Sequence, residues 1–215
     1  MKKYELTEET INVFGKTLHR IRATRDFSNV HAGDLGGFIE DERNLSHDEN
    51  AWVGDEARVD GNALVYGNAW VGDEARVSGK ARVGDEAWVG DEARVSGEAR
   101  VSGKARVGDE ARVGDEAWVG DEAWVYGNAL VYGNALVKGT RDIYWISCIG
   151  SRDGTTTFFR NADNGISVSC GCFYGTIDEF AAAVTKTHGD NEHAQAYRHA
   201  IKIAKLRIKL EAAES

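Results

Sequence analysis

The chain has 215 residues, which is enough for one large domain or two small ones, and it holds 25 glycines, no proline and a formal net charge of −9. The negative charge argues against general attraction to nucleic acid or to an anionic membrane. No apolar run approaches the roughly 20 residues that cross a bilayer. Neither nucleic acid nor a membrane is therefore expected as a partner. Three cysteines do not suggest a disulfide framework. The start MKKYELTEET has no apolar signal-peptide core, so a cytoplasmic protein is expected.

Residues 1–50 carry no regular repeat and are predicted to form an N-terminal cap. Segment 16–24, KTLHRIRAT, alternates apolar and polar residues as a strand does. Segment 33–46, GDLGGFIEDERNLS, has glycines and apolar residues roughly in register with the units that follow. It is predicted to form an irregular first coil that covers an open sheet end. The GDLGG stretch lacks the spacing of a phosphate-binding or dinucleotide-binding loop, and is predicted to be a tight turn.

Residues 51–140 form an array of fifteen six-residue units of the pattern A-x-V-x-[GD]-x. Alanine recurs from Ala51 to Ala135 and valine from Val53 to Val137. Two residues apart on a strand, they face the same way, and the Arg, Trp or Leu between them faces outward. The Gly-Asp or Ser-Gly pair that follows makes a corner. Each unit is therefore one rung that buries its apolar side by stacking on its neighbours.

This pattern resembles the hexapeptide-repeat family of left-handed parallel β-helices. The resemblance implies three units per triangular coil, so that fifteen units make five coils and the irregular first coil brings the number to five or six. It also implies the left-handed sense. The predicted fold class is mainly β, with this β-helix between an N-terminal cap and a small C-terminal α+β domain.

Outward residues eighteen positions apart are predicted to stack in columns along the axis. The first, here called the Trp column, reads Trp52, Trp70, Trp88, Arg106 and Trp124. Exposed apolar stripes usually mark an interface, and the resemblance implies assembly through such faces. The Trp column is therefore the predicted contact of a homo-oligomer, with a trimer expected. Covering by the chain's own terminal segments and a platform for a ligand are the alternatives.

The other two columns contain most of the arginines of the array. The Arg column reads Arg58, Arg76, Arg94, Arg112 and Leu130, and the mixed column reads Leu64, Arg82, Arg100, Trp118 and Leu136. Guanidinium groups stacked about 4.8 Å apart repel one another unless they are countered. Pairing with carboxylates of the neighbouring corners is one interpretation. The other is a cradle for an anionic ligand such as a nucleotide phosphate, which Arg forks bind bidentately. The candidate ligand-binding residues are Arg58, Arg76, Arg94, Arg112, Arg82 and Arg100.

Residues 141–215 are predicted to form a compact α+β tail. RDIYWISCIG and TTTFFRN are predicted strands joined by the SRDG turn, and GISVSCGCFYG is a third. Thr176-Ile-Asp-Glu179 is a capping box that opens a short helix. Asp190 is predicted to cap a longer helix, one face of which carries Ala194, Tyr197, Ile201, Ala204 and Ile208. Capping the other end of the array, assembly, and holding a binding site are its three candidate roles.

The tail also holds the residues with the most reactive side chains. Cys170 and Cys172 are predicted to share one side of a strand, and with His188 and His193 they could bind zinc. Their spacing matches no compact zinc motif, so buried or half-buried thiols are favoured and no metal is predicted. HGDNEH (188–193) could supply an acid–base pair, but a polar helix start is favoured. No catalytic residue and no cofactor are predicted.

A second resemblance covers nearly the whole chain. Tyr4-Glu-Leu-Thr, RIRATRDF and GDLGGFIEDERNLS at the start, with TTTFFR, SVSCGCFYGTIDEF and THGDNEHA in the tail, resemble poorly characterised bacterial and prophage-borne hexapeptide proteins, often labelled transferases. It suggests a non-catalytic oligomeric binding or scaffold protein in a bacterial host cell. Such a protein could sequester a nucleotide immune signal as an anti-defence device.

Two alternatives remain open. One is an acyltransferase of the β-helix type with an acyl-CoA donor, for which that family implies a histidine base on a coil and an extended loop. The array has no inserted loop, and no histidine lies between His47 and His188. The other is a purely structural assembly protein.

Overall fold

The N-terminal segment begins with a long hairpin. The protein is described over residues 2–211 by a computed structural model, so residue 1 of the predicted cap and residues 212–215 of the predicted tail lie outside the described part. β1 (Tyr4–Val13) pairs antiparallel with β2 (Lys16–Ala23), which pairs antiparallel with β3 (Leu35–Ile39). A short 3-10 turn follows at Glu42–Asn44. The strand predicted over 16–24 is thereby confirmed.

Each of the fifteen units contributes one two-residue strand, formed by its outward residue and its valine. The strands are β4 (Trp52–Val53), β5 (Arg58–Val59), β6 (Leu64–Val65), β7 (Trp70–Val71), β8 (Arg76–Val77), β9 (Arg82–Val83), β10 (Trp88–Val89), β11 (Arg94–Val95), β12 (Arg100–Val101), β13 (Arg106–Val107), β14 (Arg112–Val113), β15 (Trp118–Val119), β16 (Trp124–Val125), β17 (Leu130–Val131) and β18 (Leu136–Val137). Every valine of these strands is fully buried, because all of them point into the core. The array is thus a parallel β-solenoid.

Three sheets wrap this core, and the strands of the array run parallel in each of them. The Trp sheet has the order β16-β13-β10-β7-β4, the mixed sheet β18-β15-β12-β9-β6, and the Arg sheet β1-β2-β3-β5-β8-β11-β14-β17. Paired residues are eighteen positions apart, as in Trp52–Trp70 and Arg58–Arg76. The predicted columns are therefore confirmed as stacks of neighbouring residues.

The first coil is irregular, as predicted. Phe38 pairs with Arg58 and Leu45 bridges Val65, so the separation is 20 residues in both cases (58 − 38 and 65 − 45). The two additional residues fall in the corner after Leu45. With this coil, the solenoid has about six turns.

The tight turn predicted at GDLGG is confirmed only for the start of this segment, where Gly33 has a φ of +97°. Gly36 and Gly37 lie beyond the turn. Both residues lie inside β3. A Cβ atom on Gly36 would come within 2.5 Å of the carbonyl oxygen of Val53, and one on Gly37 within 2.5 Å of that of Ala57. These glycines permit close approach of β3 to the next coil rather than a change of chain direction.

The tail folds into a four-stranded antiparallel sheet covered by two helices. Its elements are β19 (Ile143–Ile149), β20 (Gly154–Arg160), β21 (Ile166–Cys170), β22 (Phe173–Thr176), α1 (Ile177–His188) and α2 (Glu192–Arg207). The third predicted strand is in fact the hairpin β21–β22, because Gly171, at φ +58°, reverses the chain. The Thr176 capping box of α1 is confirmed.

The start of α2 differs by one residue from the prediction. Asn191, not Asp190, is the N-cap, because its Oδ1 accepts the N–H of Ala194 at 3.0 Å. Asp190 instead accepts a hydrogen bond from Arg198 at 2.8 Å. The predicted apolar face is confirmed. All five of its residues are buried, namely Ala194, Tyr197, Ile201, Ala204 and Ile208.

Strand β20 joins the tail to the last coil. Phe159 is fully buried in the core of the solenoid, whereas the adjacent Phe158 faces the helices and meets Phe180 edge-on at 6.0 Å between ring centroids. The N–H of Leu130 in β17 donates to Oγ1 of Thr157 at 2.9 Å. In a further coil, a backbone carbonyl would accept this N–H. Because β20 also contacts β18 of the mixed sheet, the tail caps the ends of both the Arg sheet and the mixed sheet.

Candidate functional site: the arginine face and the hairpin cleft

The corner aspartates carry out a structural task that the sequence did not reveal. In the corners after the Trp sheet, the Oδ2 atom of each Asp accepts the backbone N–H of the residue eighteen positions later. The donor–acceptor pairs are Asp73 to Asp55 at 3.2 Å, Asp91 to Asp73 at 3.1 Å, Asp109 to Asp91 at 2.9 Å and Gly127 to Asp109 at 2.8 Å. Each carboxylate therefore satisfies a backbone donor of the next coil. This set of bonds is called the Asp ladder below.

The Arg column is not neutralised by its neighbours. Among residues 2–211, no carboxylate oxygen lies within 4.0 Å of a guanidinium nitrogen of the column. Its arginines are Arg58, Arg76, Arg94 and Arg112. Arg58 and Arg76 are half-buried, and Arg94 and Arg112 are exposed. The interpretation that corner carboxylates pair with this column is therefore wrong for the described part of the chain.

Lysine and arginine side chains of the hairpin pair with the carboxylates nearest to Arg58. Nζ of Lys16 lies 2.5 Å from Oδ1 of Asp60 and 3.1 Å from Oε2 of Glu40. These bonds raise the pKa of Lys16, with the hydrogen bond that Lys16 donates to Asp60 as the largest cause. The pKa of Glu40 is lowered, chiefly because it accepts the N–H of Gly61 at 2.6 Å. Both groups stay charged near neutral pH, and their pairing leaves the arginines free.

A second cation of the hairpin acts in the same way. Nη2 of Arg20 lies 2.8 Å from Oε1 of Glu56, and Nε lies 2.8 Å from Oε1 of Glu9. The guanidinium group of Arg20 also lies over the ring of Phe38, 4.3 Å from its centroid. The hairpin is thus held to the first coils, and a corner carboxylate next to Arg58 is neutralised.

The tip of the β1–β2 hairpin overhangs the Arg column. Val13 pairs with Lys16, which leaves Phe14 and Gly15 as the two-residue loop. A cleft of about 280 Å³ lies between this tip and the sheet, and it is called the hairpin cleft below. It is lined by Val13, Phe14, Lys16, Arg58, Asp60, Arg76, Ser78, Arg94, Val95 and Ser96. Three of the six predicted ligand-binding arginines are therefore brought together with serine hydroxyls and an aromatic ring.

The other three predicted arginines lie outside the cleft. Arg112 is one coil further along the same column, beside Tyr132. Burial raises the pKa of Tyr132, and the positive charge of Arg112 opposes that rise. Arg82 and Arg100 lie on the mixed sheet, on another face. Phe14 and Lys16 were missed because the alternation of β1 and β2 predicts strands without indicating where their turn packs.

The Trp column is less exposed than predicted. Trp52 is only 2 % exposed, because the N-terminal segment covers it and the ring of Phe27 meets it edge-on at 5.5 Å. The prediction that Trp52 belongs to the oligomer interface is therefore wrong. The alternative, that a terminal segment of the chain covers the column, is confirmed at this position. Trp70 and Trp88 are half-buried, Arg106 is exposed, and Trp124 is 52 % exposed.

Glycines explain why several of these indoles lie flat against the solenoid. A Cβ atom on Gly72 would come within 2.5 Å of Nε1 of Trp70, and one on Gly90 would collide with the ring of Trp88. The recurring Trp-Val-Gly sequence thus makes room for the ring two residues after each tryptophan. Trp124 is followed by Tyr126 at the equivalent position, and its ring meets Tyr126 edge-on at 6.3 Å instead.

The tail thiols do not form the arrangement that was considered for zinc. Cys170 and Cys172 flank the turn of the β21–β22 hairpin, so the prediction that they share one side of a strand is wrong. Sγ of Cys170 accepts the hydroxyl of Thr156 at 3.1 Å, whereas Cys172 is exposed. Across the described residues, no three His, Cys, Asp or Glu side chains are placed to hold a metal ion.

The histidines lie away from the strands of the array. His47 stacks on Tyr4 with 4.2 Å between ring centroids, and burial lowers its pKa. His188 and His193 lie in the tail, 5.7 Å apart between ring centroids. HGDNEH (188–193) spans the end of α1 and the start of α2, so the favoured interpretation of this segment as a polar helix start is confirmed. No helix among the described residues is long and apolar enough to span a membrane.

Comparison with known proteins supports the architecture. Residues 57–73, 93–109 and 123–139 match the family described as YdcK beta solenoid repeat, so the array is similar to the repeat of that family. Among curated proteins, no match to the chain was found. The repeat match and the six-turn parallel solenoid together identify the chain as a β-helix repeat protein.

Proposed function

We propose that this protein is a non-catalytic binding scaffold that holds an anionic small ligand in the hairpin cleft. The observation that carries the proposal is the stack of Arg58, Arg76 and Arg94 beneath the hairpin, without a carboxylate partner among the described residues. The lining of the cleft holds four cationic side chains and one carboxylate, so the potential there is positive despite the net charge of −9.

Electrostatics favour an anion at this position. Two guanidinium groups about 4.8 Å apart repel by about 0.9 kcal/mol in water and by about 3.5 kcal/mol at an effective dielectric constant of about 20. The half-buried pair Arg58 and Arg76 lies between these limits, and the exposed Arg94 lies near the lower one. An anion between neighbouring groups replaces repulsion by attraction and by charge-assisted hydrogen bonds. Ser78 and Ser96 add hydroxyl donors in the same cleft.

The resemblance to prophage-borne proteins suggests a setting for such binding. A protein that retains a nucleotide signal of the bacterial host without turnover would act as a sequestering agent. None of the six histidines lies on the fifteen strands of the array, whereas the acyltransferase alternative implies a histidine base on a coil.

The proposed assembly is a homo-oligomer, with a trimer as the expected state. The remaining Trp column offers a flat surface of half-exposed rings at Trp70 and Trp88, followed by Arg106 and Trp124. Large aromatic side chains and arginine are enriched at protein interfaces. Since the Arg sheet is a different face, this contact would leave the hairpin cleft accessible.

Isothermal titration of the full chain tests the proposal, with pyrophosphate and ADP as probes. Arg94→Gln should weaken binding by about 10- to 150-fold, the range for loss of a charge-assisted hydrogen bond. Arg100→Gln is the matched control, because the unit Ala-Arg-Val-Ser-Gly is the same but lies on the mixed sheet. Chromatography of the recovered ADP should show no turnover. Absence of binding by both probes, or equal loss in both variants, contradicts the proposal.

A further inference from the structure

Phe14 is the most exposed large apolar residue among those described. Its side chain is 97 % exposed at the tip of the hairpin, and its φ of +49° lies in the left-handed region. That region is disfavoured for a bulky residue, and two-residue hairpin loops prefer Asn or Gly there. Phe14 therefore contributes no burial to the fold and occupies a backbone position that another residue would suit better. Such a residue needs an explanation outside the stability of the chain.

The structure fixes Phe14 at a defined place. Lys16, two residues along, binds Asp60 at 2.5 Å and so ties the hairpin tip to the corner of the Arg sheet. The N–H of Gly15 donates to Oδ1 of Asn12 at 3.1 Å, which closes the loop on its other side. The ring is thus presented at the rim of the hairpin cleft, whose lining also includes Arg76 and Arg94.

An exposed aromatic ring beside unpaired guanidinium groups defines a ligand class. Aromatic side chains stack on nucleobases of any sequence, because every base has a π face. Guanidinium groups bind phosphate oxygens through parallel N–H donors. The cleft volume of about 280 Å³ suits a small ligand rather than a polymer.

We infer that the hairpin cleft takes a small nucleotide, with its base stacked on Phe14 and its phosphates held by Arg76 and Arg94. The inference rests on the proposed function and adds the class and the orientation of the ligand. Stacking without hydrogen-bond readout of the base implies little preference among bases. The phosphate chain runs along the solenoid axis, since the two arginines are one coil apart.

The experiment is isothermal titration of the full chain with ADP and with pyrophosphate, which has the phosphates without the base. Phe14→Gly removes the ring and relieves the left-handed backbone, so the fold should be retained, as thermal unfolding by circular dichroism will show. ADP affinity should fall by about 5- to 150-fold, the range for loss of one stacked base. Pyrophosphate affinity should not change. Phe14→Trp should restore ADP binding, and Leu206→Ala, at another exposed apolar residue, should change neither.

The other outcomes of these titrations contradict either the nucleotide inference or the proposed function itself. Unchanged ADP affinity in Phe14→Gly, with both ligands lost in Arg94→Gln, overturns the nucleotide inference and leaves the anion-binding proposal standing. Equal loss of ADP and pyrophosphate in Phe14→Gly also overturns the inference, because the ring then acts through the shape of the hairpin. Tighter binding of a single-stranded oligonucleotide than of ADP overturns it in favour of a polymer. No binding of any probe to the wild type contradicts the proposed function itself.

Discussion

Replacement of Asp91 tests the Asp ladder. The backbone of Asp91 has a φ of +53°, and its Oδ2 accepts the N–H of Asp109 at 2.9 Å. The variants Asp91→Ala and Asp91→Gly both remove this acceptor. Only Asp91→Ala places a methyl group in a left-handed conformation that alanine disfavours. The pair therefore separates the hydrogen bond from the backbone geometry.

The magnitudes follow from these two contributions. Loss of the hydrogen bond costs about 1 kcal/mol. The left-handed conformation costs alanine about 1–2 kcal/mol, whereas glycine avoids this cost but loses about 0.4–1 kcal/mol through the greater entropy of the unfolded chain. Asp91→Ala should thus lower the free energy of unfolding by about 2–3 kcal/mol, and Asp91→Gly by the smaller amount of about 1.4–2 kcal/mol. Other corners already use glycine at this position, as at Gly97.

Urea unfolding followed by tryptophan fluorescence measures the difference, provided that circular dichroism gives the same midpoint. Glu92→Ala is the matched control, since Glu92 is the exposed neighbour in the same corner. It should stay within about 0.5 kcal/mol of the wild type. If Asp91→Gly is as destabilising as Asp91→Ala, the positive φ is irrelevant to stability and the reasoning fails.

Three further predictions concern the two ends and the remaining Trp column. Lys3 is fully buried, and burial lowers its pKa to about 8. Because the charged form is disfavoured in the folded state, its cost is complete below pH 8 and disappears as the pH rises towards 10.5. The free energy of unfolding of the wild type, relative to that of Lys3→Met, should therefore increase between pH 7.5 and 9.5. A difference in urea midpoints that stays constant over this range would contradict the prediction. Phe159→Ala should cost about 3–5 kcal/mol, because the ring closes the last coil. A loss below about 1 kcal/mol in the same assay would show that the tail does not seal the core. Trp70→Glu with Trp88→Glu should release monomers from the proposed oligomer, whereas multi-angle light scattering without a mass change would refute the contact.

The regular part of the fold could be predicted because the period of the valines is constant. Once Val53 and Val71 are known to stack, the sequence order alone assigns every outward residue to a column. The capping box at Thr176 was predicted for a similar reason, since its signal lies within four residues. The left-handed sense implied by the resemblance stays a prediction.

What could not be predicted depends on contacts between distant segments. Trp52 is covered by Phe27, 25 residues earlier, and no local pattern places that segment over the first coil. Arg58 lacks a carboxylate partner although Asp60 and Glu56 flank it in the sequence, because Lys16 and Arg20 of the hairpin pair with these two groups. The hairpin cleft therefore exists only where three separate segments meet, although its arginines could be predicted one by one.

A crystal structure of the full chain grown with ADP tests the central claim most directly. The claim predicts phosphate oxygens about 2.7–2.9 Å from guanidinium nitrogens of Arg76 and Arg94, and the base facing the ring of Phe14. ADP bound only on another face, or an empty cleft at saturating ADP with its arginines paired to carboxylates, would contradict it.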